Sequence, residues 1–145
     1  HARFSAKMRI YKYIIINQLG GPVLEHNRGW HIMKKLDLDL MKKGAKKLIG
    51  TKDFSTFRAS SCRAKSPVKT MKLVKITSSK KKIKIEFRSQ SFLQKQVRSM
   101  VGSLKYLGEK KWSLKNFDSV MRSKKRTLCA PPAPSEGLYL FRIIY

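Results

Sequence analysis

The sequence predicts an α+β domain, a mostly antiparallel sheet with helices packed on one face. Three observations lead there. Apolar patterning along the chain runs strand, helix, hairpin, helix, helix, strand. A length of 145 residues suits one domain with a two-layer core. Hydrophobic residues at 41% can fill that core, which separates this chain from disordered basic tails.

The first strand is expected over Met8–Asn17, rich in Ile and Tyr and ending at a Gly-Gly-Pro turn. Asp37 can cap a helix to about Ile49, with Asp39 in its first turn and Gly50 just beyond its end. Leu38, Met41, Ala45, Leu48 and Ile49 form its apolar stripe, while Lys42, Lys43, Lys46 and Lys47 lie elsewhere. Residues 51–67 read as irregular. Two strands follow at 68–77 and 82–88, joined through Ser78, Ser79, Lys80 and Lys81. In the second, Ile83, Ile85 and Phe87 alternate with Lys84, Glu86 and Arg88, giving one buried face and one basic face. Ser91 can cap a helix over 92–107 with the stripe Leu93, Val97, Met100, Val101 and Leu104, and Arg98 at its border. A short helix at 113–123, a proline-rich loop at 127–136 and a last strand at 137–145 complete the order.

Charge sets the function class. Lys plus Arg number 34 against 8 acids, a formal net charge of +26, which favours a polyanionic partner. The longest plain aliphatic run is Ile14-Ile15-Ile16, far short of the roughly 20 apolar residues of a spanning helix. No charged and apolar signal segment opens the chain. Cys62 and Cys129 form no CxxC, and His1, His26 and His31 have no metal spacing, so zinc is not expected and two free thiols in an intracellular chain are. Starting at His1 and soon entering a strand, the chain reads as the continuation of a longer product.

Catalytic motifs are scarce. Residues 44–52 imitate a phosphate loop, but the glycines are one residue too far apart and Thr51 precedes Lys52, so a helix ending at Gly50 explains them better. Among the acids, Asp37, Asp39 and Asp118 read as helix-terminus residues and Glu86 lies on the exposed strand face. Asp53, in an aromatic loop, reads as a turn former.

The residues His1 to Lys7, Arg9-Ile10-Tyr11-Lys12-Tyr13, Asp53-Phe54-Ser55-Thr56-Phe57-Arg58-Ala59, and Cys62 with Ser66-Pro67 form one ordered set. Phe92-Leu93, Gln96-Val97-Arg98, Val101-Gly102-Ser103-Leu104 and Gly137-Leu138-Tyr139-Leu140 continue it. Together they resemble, from end to end, the second half of the bacterial tRNA pseudouridine synthase A family. That resemblance implies a pseudouridine synthase-like C-terminal domain (residues 1–145), a missing N-terminal half, and a homodimer in the cytoplasm that binds the anticodon stem-loop of tRNA. It implies isomerisation of uridines at positions 38–40 to pseudouridine with no cofactor and no metal. The family's nucleophilic Asp lies in an Arg-Thr-Asp segment absent here, so this chain alone is expected to be inactive, and Asp53 does not replace that residue.

By the same resemblance, Tyr11 lies against the target base and Arg98 pairs with the absent Asp, since a buried carboxylate stays ionised beside an always-charged guanidinium. Leu138, rather than Leu140, is expected beneath the base. Arg58 and Arg9, with Arg3 and Lys7, are expected at substrate phosphates. Gln96 stands where many relatives carry Met, and Gly44 where they often carry Ala. The alternative is a stand-alone basic tRNA-binding module without catalysis; a general basic nucleic-acid protein is a third reading.

Overall fold

A computed structural model describes residues 5–20 and 29–145. It holds a six-stranded mixed sheet, all antiparallel but for one short pair, and three helices that share its core. The order is β1 (Met8–Asn17), β2 (Trp30–Ile32), α1 (Leu38–Lys47), β3 (Gly50–Asp53), β4 (Val68–Ser79), β5 (Lys82–Ser89), α2 (Gln96–Gly108), α3 (Leu114–Ser123) and β6 (Leu138–Ile144). Strand β1 is the hub. Strand β5 pairs with it over Arg9 to Ile16, while β6 takes its first half and β2, in parallel, its last three residues.

Period-two alternation sorts the two faces. Tyr13 and Ile15 of β1, with Ile83, Ile85 and Phe87 of β5, join Met41, Met100, Leu104 and Phe117 from the helices in one buried cluster. On the opposite face Lys12 and Arg88 both reach Glu86, at 4.0 and 2.6 Å, and the Lys12 ammonium lies 3.5 Å from the Phe141 ring centroid. The sheet is therefore apolar towards its helices and basic away from them.

Asp37 caps α1 as its sequence position suggests, accepting the Leu40 N–H at 3.0 Å. The helix stops at Lys47, and Ile49 is 37% exposed instead of joining the stripe. Gly50, at φ +116°, both ends this segment and opens β3, so part of the stretch expected to be irregular is an edge strand. The hairpin turn is tighter than expected: β4 runs to Ser79, and only Lys80 and Lys81 intervene before β5. Asp118 lies inside α3, not at its end, and pairs with Lys47 at 3.0 Å.

Helix α2 begins at Gln96, four residues after its expected start, and Ser91 does not cap it. The Ser91 hydroxyl instead accepts from Lys69, and its carbonyl accepts from Ser89. The turn ahead of α2 is held from inside: the fully buried Gln96 amide oxygen accepts the Leu93 N–H at 2.8 Å. Gly44 allows α1 to approach α2, because a Cβ there would fall 2.3 Å from the Leu107 side chain. Any helix-propensity gain from Ala at this position is thus set against movement of a buried leucine tip.

The proline-rich segment is a loop, as expected, with short 3-10 turns at Arg126–Leu128 and Ser135–Gly137. It lies on α2 across Gly102, where a Cβ would come within 2.0 Å of the Pro131 carbonyl oxygen. Gly102→Ala must therefore push backbone apart and should destabilise the protein by about 1 to 3 kcal/mol. Thermal unfolding of the variant measures this; an unchanged midpoint would show that the loop is not held at Gly102.

Candidate active-site cavity

Three of the residues singled out from the sequence meet at one place. Tyr11 stands in mid-β1, paired with Phe87 of β5 and Leu140 of β6. The Phe92 ring meets it edge-on, with centroids 5.2 Å apart and planes at 90°. Tyr11, Phe92, Val97, Arg98, Lys95 and Leu138 line an open cavity of about 330 Å³. Leu138 belongs to that wall, whereas Leu140 is 51% exposed and outside it.

Arg98 owes its pose to the proline-rich segment. Its Nε donates to the Ala133 carbonyl at 2.7 Å, and its own carbonyl accepts the Ala133 N–H at 2.9 Å. Among the described residues the two terminal guanidinium nitrogens make no hydrogen bond and no ion pair. A planar fork fixed at its stem, with its tips free, suits a carboxylate approaching from outside this set. No lining residue of the cavity is itself an acid.

Tyr13, one step along the same face of β1, has a structural job. Its hydroxyl donates to the Pro134 carbonyl at 2.5 Å. Burial, helped by Glu136 and opposed by Arg98, pushes its phenol well above the ordinary tyrosine range, so it stays protonated and keeps the segment tied down. Neither this tie nor the Phe92 contact was visible in the sequence, because both join residues far apart along the chain.

The remaining candidates sit elsewhere. Arg9 donates from its guanidinium to the Gln90 carbonyl, beside the segment that carries Phe92. Lys7 is exposed near the end of β6, where its N–H donates to Ile144, and Arg3 lies outside the described residues. Arg58 does not line the Tyr11 cavity. Its Nη2 reaches the Cys62 and Ala64 carbonyls at 3.2 and 3.3 Å, bracing the 59–64 loop. Asp53 accepts the Ser55 N–H at 2.8 Å in a turn. Burial pushes its carboxyl up, but the Ser55 hydrogen bonds and the Lys124 and Arg58 charges outweigh this and hold it below the usual aspartate value.

With this geometry in hand, comparison with known proteins assigns the family. The profile described as tRNA pseudouridine synthase matches residues 45–145, which include Arg98 and Leu138. The chain belongs to that family. Over its whole length it is 72% identical to the tRNA pseudouridine synthase A of Pelagibacter ubique (strain HTCC1062) and 45% identical to that of Paramagnetospirillum magneticum (strain ATCC 700264 / AMB-1). Over 99% of its length it is 44% identical to that of Xanthobacter autotrophicus (strain ATCC BAA-1158 / Py2). It spans 59%, 57% and 59% of these three relatives, respectively.

The two thiols next to this region differ in acidity. Backbone hydrogen bonding at Ala64, opposed by burial and aided by Gln94 and Arg58, pulls the Cys62 thiol below its ordinary value. Burial pushes the Cys129 thiol up. Alkylation by iodoacetamide should therefore reach Cys62 first, with its rate rising at lower pH than that of Cys129. Peptide mapping across a pH series checks the order; equal rates at both thiols would contradict it.

Proposed function

We propose that this chain forms the base-binding side of a tRNA pseudouridine synthase that isomerises uridines at positions 38–40 of the anticodon stem-loop. The observation that carries the reading is the convergence of Tyr11, Leu138 and Arg98 on one cavity in a member of this family. A base turned out of its stack needs a flat apolar surface, and Tyr11 with Leu138 supplies one. The C1′–N1 bond breaks, the base turns, C1′ bonds to C5, the C5 proton leaves and N1 takes up a proton, so that the product is an isomer of the substrate. The attacking carboxylate belongs to an Arg-Thr-Asp segment outside these residues, and the free tips of Arg98 keep it ionised and aimed. The reaction takes no cofactor or metal. The working protein is a cytoplasmic homodimer in which this chain joins the family's N-terminal half.

Two outcomes follow for the 145 residues alone. With 34 cations against 8 acids, they should bind tRNA mainly through phosphates, log affinity falling with log salt by about 0.7 to 0.9 per phosphate neutralised. They should release no tritium from C5-labelled uridine in tRNA. Turnover by this chain alone would return Asp53 to consideration as the nucleophile, and a flat salt response would contradict phosphate-dominated binding.

Arg98 is tested in the protein completed to the length of its relatives. Arg98→Lys keeps the charge and loses the fork; Arg98→Ala leaves a buried carboxylate unpaired, at a cost of about 3 to 5 kcal/mol. Both should slow single-turnover isomerisation by at least about a hundredfold, with little change in tRNA affinity. A large affinity loss at an unchanged chemical rate would make Arg98 a phosphate contact instead.

A further inference from the structure

A second open cavity, of about 280 Å³, adjoins the first, and Lys95 lines both. Its charged lining residues are Arg58, Lys95 and Arg126, with no carboxylate among them. None of these three cations is ion-paired among the described residues. Ser60 and Ser61 also line it, the Ser61 hydroxyl donating to Gln94 Oε1 at 3.4 Å. Arg58 is already oriented, because one terminal nitrogen is fixed on the Cys62 and Ala64 carbonyls and its guanidinium also hydrogen-bonds the Cys62 side chain.

The backbone marks the junction between the two cavities. Four non-glycine residues among those described have positive φ: Lys80, Lys95, Lys110 and Lys124. Lys80 makes the hairpin turn, and Lys110 and Lys124 follow helix C-termini, where a left-handed residue is usual. Lys95, at φ 62° and ψ 10°, is the third residue of the turn ahead of α2, in which the Gln96 N–H donates to the Leu93 carbonyl at 3.0 Å. That turn places Lys95 on the lining of both cavities.

We propose that the second cavity receives one backbone phosphodiester of the RNA, next to the nucleotide whose base enters the Tyr11 cavity, with Lys95 and Arg126 sharing its charge. This rests on the tRNA reading above and gives it a second, separately testable contact. A cavity lined by three cations and no carboxylate fits a phosphodiester anion better than a neutral sugar or base.

The test uses the completed protein and anticodon stem-loop RNAs that each carry one neutral methylphosphonate linkage near the target uridine. Binding is compared between the unmodified protein and a Lys95→Gly, Arg126→Gln double variant. Both positions are exposed, and glycine accepts the left-handed backbone, so the fold is kept; thermal unfolding checks this. One linkage beside the target should weaken binding of the unmodified protein about tenfold, and the double variant should be indifferent to that linkage. A scan in which the double variant follows the unmodified protein at every linkage overturns the subsite. Isomerisation of the unmodified RNA separates the two ideas. Normal turnover with such a scan removes the subsite and leaves the base cavity standing. A linkage-specific loss without turnover supports the subsite and overturns the uridine reading.

Discussion

The arrangement of the cavity hangs on the two-way hydrogen bonding between Arg98 and Ala133. A segment with three prolines cannot join a sheet ladder, so its buried carbonyls must find donors elsewhere. Arg98 Nε serves Ala133, and the Tyr13 hydroxyl serves Pro134. Gly102 lets the segment lie close enough for both. The chain then leaves the segment directly into β6, which brings Leu138 opposite Tyr13 and onto the cavity wall. One guanidinium thus holds the loop with its stem, while its tips make no hydrogen bond or ion pair among the described residues.

The elements legible in the sequence are those whose periodicity runs long enough to be read. Strand β1, the β4–β5 hairpin and α1 show it over eight residues or more. Strand β2 has three residues and β3 is Gly-Thr-Lys-Asp, too short and too polar for any alternation to register. The start of α2 was misplaced because Ser91 carries a common capping signal, while the group that holds the turn is an amide inside the helix. At the site, Tyr11, Leu138 and Arg98 could be named through resemblance, whereas their meeting in one cavity is a property of strand register and loop docking. Arg58 shows the limit: its side chain follows the aromatic loop as expected but faces a different cavity.

The few acids are spent on structure. Glu86 is shared by Lys12 and Arg88, Glu109 by Lys34 and Lys105, and Asp118 holds Lys47. These pairs range from the half-exposed Lys47–Asp118 to Glu109, whose carboxylate is buried between Lys34 and Lys105. They do decide where positive potential is cancelled, and neither cavity next to Lys95 has a carboxylate in its wall. The surplus charge is therefore undiluted where an anionic chain would pass.

The lysines with left-handed backbone bear on how much substitution this fold can absorb. At Lys80, Lys110 and Lys124 the left-handed backbone is one that glycine or asparagine adopts at less conformational cost than lysine. These positions are removed from both cavities' walls. They form a reserve of stability, and glycine at these three positions would offset harsher substitutions around the two cavities without loss of the fold.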